Sequence, residues 1–493
     1  MDEPLVSDRR LARNIAWNLT GAAVPLFAAA WAIPRLVARL GPERFGLLAL
    51  IWAGVGYFSL FDLGFGRALT KLVAQRLGEG RSSDIGALVR TALTALGVIG
   101  ATGGVCIAGL APWIVRHVLS VPPALRQEAT TSFAIAALTL PVVVSAAGVI
   151  GVLQAYQRFG SLAVVQTLLG IATFLAPFAA LQVHRSLVAV TLVLSFARVA
   201  ALAVYLRICG EVIPAQTSSV GSSWAVLGEL FRFGGWVTVS NVLGPIMVYL
   251  DRFLIAALVT IAAVAYYTTP YEMVTRLWVL ADGLIAVVFP AVAVSLASAG
   301  APTHTLYTKA LRVMSVMMIV PVGLVVLFAG ELLTLWLGRE FASASSAVLR
   351  WQALGVFANA LARLPFAAVQ ASGRPDITAK LHLLELPLYL CALWFLVRQF
   401  GIQGAAVAWT FRILFDAALL FWCGFHFVRE IRPAALQVTG LAAGSFVVLG
   451  LLVSVHSYFA RALGAVMLVL TALIFLAFEI RAVATRRDPL TAA

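Results

Sequence analysis

Charge is scarce in this chain. Asp, Glu, Lys and Arg make up 11% of its 493 residues, against 62% hydrophobic residues. An ordinary soluble domain carries roughly a quarter of its residues as charges, so a soluble fold of this size is excluded. Lysine is nearly absent, with 3 against 32 arginines. The four cysteines (Cys106, Cys209, Cys391 and Cys423) are scattered, with no CxxC and no metal-ligand spacing. That pattern excludes a disulfide framework and a thiolate metal centre, and the thiols read as buried and unpaired. No GxxxxGK[ST] phosphate loop occurs, so no ATPase site of that kind lies within the chain, and HExxH and GxSxG are missing too. The six histidines, His117, His184, His304, His382, His426 and His456, are isolated near the ends of apolar runs. No cofactor and no metal are expected. A long polar stretch is also lacking: the longest, around Ile208 to Leu230, is about twenty residues, too short for a folded extramembrane domain. This counts against a membrane enzyme with a large catalytic loop.

What remains is a succession of long apolar runs. A helix needs about 20 apolar residues to cross a bilayer core of roughly 30 Å, and only helices satisfy backbone groups through so many consecutive runs. The sequence predicts an all-α polytopic membrane protein of about fourteen spans. These lie near 14–38, 44–66, 88–115, 129–153, 160–182, 186–208, 231–258, 262–298, 308–337, 344–371, 376–399, 401–427, 435–457 and 461–482. The apolar stretch after Asp8-Arg9-Arg10 is too long for a signal peptide and leads directly into another span, so it reads as an uncleaved first helix.

The net charge of +14 would point to nucleic acid in a soluble protein, but its distribution follows the membrane. With the amino terminus inside, twenty Lys and Arg, among them Arg9, Arg10, Arg13, Lys71, Arg76, Arg158, Arg374, Arg486 and Arg487, fall on the cytoplasmic side. Nine, among them Arg35, Arg39, Arg116, Arg339, Arg398 and Arg461, fall on the other. The bias obeys the positive-inside rule and places both termini in the cytoplasm. Basic juxtamembrane segments at an anionic leaflet account for the high isoelectric point, and no nucleic acid partner is implied.

The two halves of the chain look related. Gln154-Ala155 with Arg158 returns as Gln370-Ala371 with Arg374 after 216 residues. Phe196 and Arg198 resemble Phe411 and Arg412, Pro25 has its counterpart in Pro245, and Ala111-Pro112-Trp113-Ile114 matches the place of Gly330-Glu331-Leu332-Leu333. A six-helix repeat restores the starting side of the membrane, so the halves share one orientation. The expected domains are an N-terminal six-helix lobe over residues 1–215, a C-terminal six-helix lobe over 216–430, and two additional helices with a cytoplasmic tail over 431–493. The Ser- and Gly-rich stretch Ser218–Ser223 is the expected linker.

Twelve charged residues lie within spans: Asp62, Arg198, Asp251, Arg252, Glu272, Arg276, Asp282, Arg350, Arg363, Glu385, Arg412 and Asp416. Facing lipid, each would cost on the order of 2.5–3.5 kcal/mol, so they face inward and many pair. Glu272 and Arg276 are spaced i, i+4 in the favourable order, Arg412 and Asp416 are spaced i, i+4 in reverse, and Arg363 and Glu385 are expected to pair across a hairpin. Arginine presents a planar fork that grips phosphate oxygens and stays charged when desolvated. Arg198, Arg363, Arg276, Arg412 and Arg252 are therefore the expected binding residues for a phosphate or pyrophosphate, with internal ion pairing as the competing role. Arg198 and Arg363 lead, because Glu272 can neutralise Arg276 and Asp416 can neutralise Arg412. Asp251, Glu272, Asp282, Glu385 and Asp416 are the candidates for gating or ion coupling. Tyr266, Tyr267 and Tyr271 are the aromatics expected to line a cavity.

The opening third carries a resemblance. Trp17-Asn18 and Pro25 lead to Leu40-Gly41-Pro42-Glu43-Arg44-Phe45-Gly46, and the second span ends in Asp62-Leu63-Gly64-Phe65-Gly66-Arg67-Ala68-Leu69. This resembles the polysaccharide transporters, or lipid-linked oligosaccharide flippases, of the multidrug/oligosaccharidyl-lipid/polysaccharide exporter superfamily. The resemblance covers about the first 90 residues; beyond them only hydropathy, helix number and the repeat match. It implies two six-helix lobes around a central cavity plus two C-terminal helices. It also implies a bacterial inner-membrane flippase that moves an undecaprenyl-pyrophosphate-linked oligosaccharide by alternating access, for surface polysaccharide biosynthesis. Asp62 and Arg67 would lie near its cytoplasmic gate. Implied partners are the lipid-linked oligosaccharide, membrane lipids, and glycosyltransferases and a polymerase of the same pathway. Two other functions stay open: a cation-coupled multidrug extruder of the same fold, and a membrane-embedded glycosyl polymerase or ligase.

Overall fold

The computed structural model describes residues 8–58, 65–81, 84–213, 228, 247–297, 303–372, 374–455 and 457–484. Among them there is no strand. The helices are α1 (Asp8–Phe58), α2 (Phe65–Gly78), α3 (Ile85–Trp113), α4 (Arg126–Leu138), α5 (Leu140–Ala155), α6 (Phe159–Val183), α7 (Leu187–Val212), α8 (247–258), α9 (Ile261–Thr275), α10 (Trp278–Ala297), α11 (Thr303–Leu327), α12 (Ala329–Leu337), α13 (Arg339–Ala371), α14 (Pro375–Phe427), α15 (Ala435–Val453) and α16 (Tyr458–Ala484). Nine stretches among the described residues are long and apolar enough to span a membrane, and one of them, 52 residues long, folds back on itself. The chain is a multi-pass, all-α membrane protein. Of the about fourteen expected spans, 231–258 and the end of 44–66 lie partly outside the described residues.

The described contacts divide the chain into two units, residues 1–265 and 266–493. The expected boundary at 215/216, the linker at 218–223 and the tail after 484 lie outside the described residues.

In the first unit, α2, α3, α5 and α7 share one apolar core built on Phe65, Leu69, Leu88, Val144, Val152 and Tyr205. The long α1 is interrupted at Gly41, and its second part carries the buried Phe45, Leu47, Leu48 and Leu50. In the second unit, α13 is the hub, packed by α10, α11, α12 and α14. Its most apolar stretch is 78% buried, against 0% for α16, whose side chains Leu463, Val466, Met467 and Leu470 stand exposed as a lipid-facing surface would. The α14 hairpin turns at Gly401, whose φ of 57° is a conformation that side chains disfavour. Gly355 of α13 lies against the fully buried Trp409 of α14, where an added Cβ would sit 2.3 Å from the indole ring. Gly355→Val is expected to cost about 1–3 kcal/mol by overpacking. Thermal unfolding in detergent reads this, and an unchanged midpoint would contradict the close α13–α14 approach.

The internal repeat is visible in where helices break. Helix α5 ends at Ala155 and α6 begins at Phe159; α13 ends at Ala371 and α14 begins at Pro375, each 216 residues later. The closing bonds match as well, Arg158 N to Leu153 O and Arg374 N to Val369 O. The break after Val183 and the turn at Gly401 follow the same spacing.

Candidate functional site

Charged side chains on α9, α10 and α13 form the most exposed polar surface among the sequence-predicted site residues. Glu272 and Arg276 pair as their spacing predicts, at 2.9 Å, with side chains 32% and 42% exposed. The chain turns at Arg276-Leu277 and re-enters a helix at Trp278, which brings Asp282 one turn beyond the indole. Asp282 Oδ1 accepts a hydrogen bond from Arg363 Nη1 of α13. Arg363 also donates from Nε to Asn359 Oδ1 at 3.5 Å, and its guanidinium stands 5.3 Å from the Trp278 ring centre. Trp278 is itself fixed by an Nε1 bond to the Val356 carbonyl at 3.4 Å. Asp282 is 63% exposed and Arg363 24%. A carboxylate that open in the middle of a span is costly against hydrocarbon, so this surface faces water. The Arg363 fork, the Trp278 indole face and the Asn359 amide can hold a phosphorylated sugar.

A second polar cluster is buried inside the α14 hairpin. Glu385 and Asp416 are 1% and 6% exposed, and neither Glu385 carboxylate oxygen has a hydrogen-bond partner among the described residues. Arg412 Nη1 is 3.9 Å from Glu385 Oε2, and its guanidinium faces the Tyr389 ring at 5.4 Å. His382 is within electrostatic reach of Asp416 and Arg412. A cavity of about 210 Å³ lined by Glu385, Tyr389, Arg412 and Phe415 opens beside them. Two carboxyls and a guanidinium buried together make this cluster a candidate site for a coupling ion.

In the first unit, Arg198 is half-buried on α7 and donates Nη1 to the Leu194 carbonyl of its own helix at 3.1 Å; among the described residues no carboxylate pairs with it. Asp251 and Arg252 of α8 are fully buried and bonded to each other at 3.0 Å. Away from water, Arg252 reads as a packing element. An apolar cavity of about 390 Å³ in this unit, lined by Leu50, Ile107, Phe133, Leu250 and Phe253 among others, contains no charged group. Asp62 lies outside the described residues, as does the side chain of Arg67.

Several expected pairings are corrected. Arg363 meets Asp282 rather than Glu385, because α10 packs directly on α13. Arg412 meets Glu385 across the hairpin rather than Asp416 on its own helix, because the turn at Gly401 lays the two halves of α14 side by side. Arg363 is therefore not an unpartnered guanidinium. Tyr267 and Tyr271 are core residues, the latter edge-on to Trp409 at 5.3 Å, and Tyr266 packs on Phe341 at 4.9 Å. Tyr389 was overlooked in the sequence, and His382, expected as an isolated histidine near a span end, stands instead beside the buried cluster. Their signal was helical spacing: His382, Glu385 and Tyr389 fall at i, i+3, i+7, and Trp278/Asp282 and Asn359/Arg363 at i, i+4.

A family model described as polysaccharide biosynthesis protein matches residues 11–295. A protein of Shigella flexneri, named as a proposed O-antigen transporter, is 29% identical over 410 residues, which are 83% of this chain and 96% of that protein. Among solved structures, the fold is similar to the lipid II flippase MurJ in an inward closed conformation, with a TM-score of 0.71 at 12% identity, covering 96% of this chain and 100% of that one. It is also similar to an inward-facing multidrug resistance MATE family transporter of the MOP superfamily, with a TM-score of 0.70 at 14% identity, covering 85% of this chain and 98% of that one. The last two are likenesses of fold.

Proposed function

The chain belongs to the polysaccharide biosynthesis protein family, and from that membership we propose that it is a flippase, a transporter and not an enzyme, for a lipid-linked polysaccharide precursor. In this reading the cargo is an oligosaccharide on undecaprenyl pyrophosphate, carried across the bacterial inner membrane by alternating access. The observation that carries it is the water-facing Asp282–Arg363 pair with Arg276 and Trp278 nearby in the chain. A pyrophosphate arriving at Arg363 displaces the Asp282 carboxylate and takes over its hydrogen bonds, while the sugar stacks on Trp278 and the lipid tail stays in the bilayer. Asp282 thus holds the empty site in register and competes with the cargo, which favours release. Glu272 plays the same part for Arg276. The Glu385–Asp416 cluster is the candidate for ion coupling, and Arg412 serves it as counter-ion.

The test is genetic and chemical. In a cell whose surface polysaccharide depends on this chain, its deletion should remove that polysaccharide and leave lipid-linked oligosaccharide on the cytoplasmic leaflet. Unchanged surface polysaccharide with a cationic dye retained in the cells would favour the multidrug extruder instead.

The reading also fixes an orientation. The 20-to-9 bias in basic residues predicts both termini in the cytoplasm. A phosphatase reporter fused at the carboxy terminus should be inactive, and periplasmic activity would overturn the orientation.

A further inference from the structure

Where α12 meets α13, a cavity of about 670 Å³ is lined by Glu331, Thr334, Arg339, Ser343, Arg350 and, from α16, Arg461. Three guanidiniums face one carboxylate there. Glu331 is engaged by Arg461 at 2.5 Å. Arg350 donates Nε to the Val326 carbonyl at 3.3 Å, which orients the fork without neutralising it. Arg339 has no acidic partner among the described residues, and its neighbour Glu340 is bonded to the Tyr266 hydroxyl. The cavity therefore holds two positive charges in excess. Helix α13 begins at its edge with Gly338 as an uncapped N-cap, so the positive end of that helix adds to the field.

Planar forks converging on an open polar cavity suit a phosphate ester. The volume exceeds a lone oxyanion and lies in the range of pockets that take small organic ligands, roughly 300–1,000 Å³. One turn past Arg461, α16 presents Leu463, Val466, Met467 and Leu470 outward, so the cavity opens at the edge of the hydrocarbon layer. Along α13, Arg339 is 24 residues from Arg363, about 36 Å at 1.5 Å per residue, which separates this cavity from the proposed cargo site by about the thickness of the bilayer core. We infer that the cavity binds the phosphate of an anionic phospholipid head group through Arg339, Arg350 and Arg461.

The experiment uses the purified full-length protein, stripped of lipid in detergent and then offered phosphatidylglycerol, diacylglycerol or inorganic phosphate. Native mass spectrometry counts retained lipid and thermal unfolding reports phosphate binding. The wild type should retain phosphatidylglycerol about tenfold more strongly than diacylglycerol. The double variant Arg339→Gln/Arg350→Gln, which spares the Glu331–Arg461 pair, should lose that preference. Ser343→Trp, which fills the cavity and keeps every charge, should lose it too. A wild type without the preference, or both variants retaining it, overturns the site. Stabilisation by inorganic phosphate with no phosphatidylglycerol retained overturns the lipid as its source. None of these readouts depends on transport, so they stand or fall apart from the flippase reading.

Discussion

Arg363→Ala is expected to abolish surface polysaccharide export while leaving the amount of protein in the membrane unchanged. The two halves of this expectation have different physical origins. Asp282 is 63% exposed, so removing its partner leaves a carboxylate that water already solvates, and folding loses little. The cargo, by contrast, loses the only guanidinium described as held jointly by an acid, an amide and an indole face. Losing charge-assisted contacts of about 3 kcal/mol lowers binding on the order of a hundredfold. Arg363→Lys should restore export only in part, since an ammonium cannot reproduce two parallel hydrogen bonds. Asp282→Asn should do the opposite to binding: purified protein should hold more lipid-linked oligosaccharide and release it more slowly. Normal export by both Arg363→Ala and Arg198→Ala would defeat the phosphate-grip reading and leave these arginines as structural groups.

Glu385→Gln is expected to uncouple transport from a proton gradient. With one proton bound at Glu385, the Arg412 cation and the Asp416 carboxylate balance, and His382 is the other titratable group beside them. Losing that proton leaves an uncompensated negative charge in a dry site, so its departure must accompany a change of conformation that wets or opens the hairpin. Glutamine at 385 imitates the protonated state permanently, and Asp416→Asn should act alike. Initial rates in vesicles, with and without an imposed pH gradient, would show a gradient effect in the wild type and none in either variant. A gradient effect of equal size in all three would sink the proposal. Arg412→Ala should behave differently from both. It leaves the carboxyls without their cation, an error worth about 3–5 kcal/mol, so the protein should be scarce rather than uncoupled.

The class of fold was legible because the bilayer imposes it. Long apolar runs, prolines and glycines at the breaks, and the repeated Gln-Ala…Arg signal all correspond to observed helix ends at Ala155 and Ala371. The Glu272–Arg276 pair was legible for the same reason, since both partners belong to one helix and their spacing fixes their distance. Pairings between helices were not. Arg363 was expected to meet Glu385, and only the packing of α10 on α13 brings Asp282 to it instead. The tyrosines failed for a related reason: an apolar ring with one hydroxyl suits a cavity wall and a core equally, and the position of Trp409 settles Tyr271 in the core. The polar face of α14 was not read from the sequence, although His382, Glu385 and Tyr389 fall at helical intervals.

The recurring helix ends bear on how the chain came to have its present form. The stretch Pro123–Ala155 and the stretch Arg339–Ala371 are both 33 residues long, and they stand 216 positions apart. The connectors before them differ: residues 119–122 precede the first, and Gly338 alone precedes the second. Membrane thickness acts as a length standard, since adding or deleting residues within a span creates mismatch, whereas a connector drifts freely. A duplicated ancestor would thus keep its helices in step while its side chains diverged. At that spacing, Arg363 corresponds to Ala147 and Glu385 to Leu169. Those two charged positions fall on apolar residues in the first half, whereas Arg412 keeps a basic counterpart in Arg198. Two copies of such an ancestor would keep a common frame of helix lengths while the charges within it changed from one copy to the other.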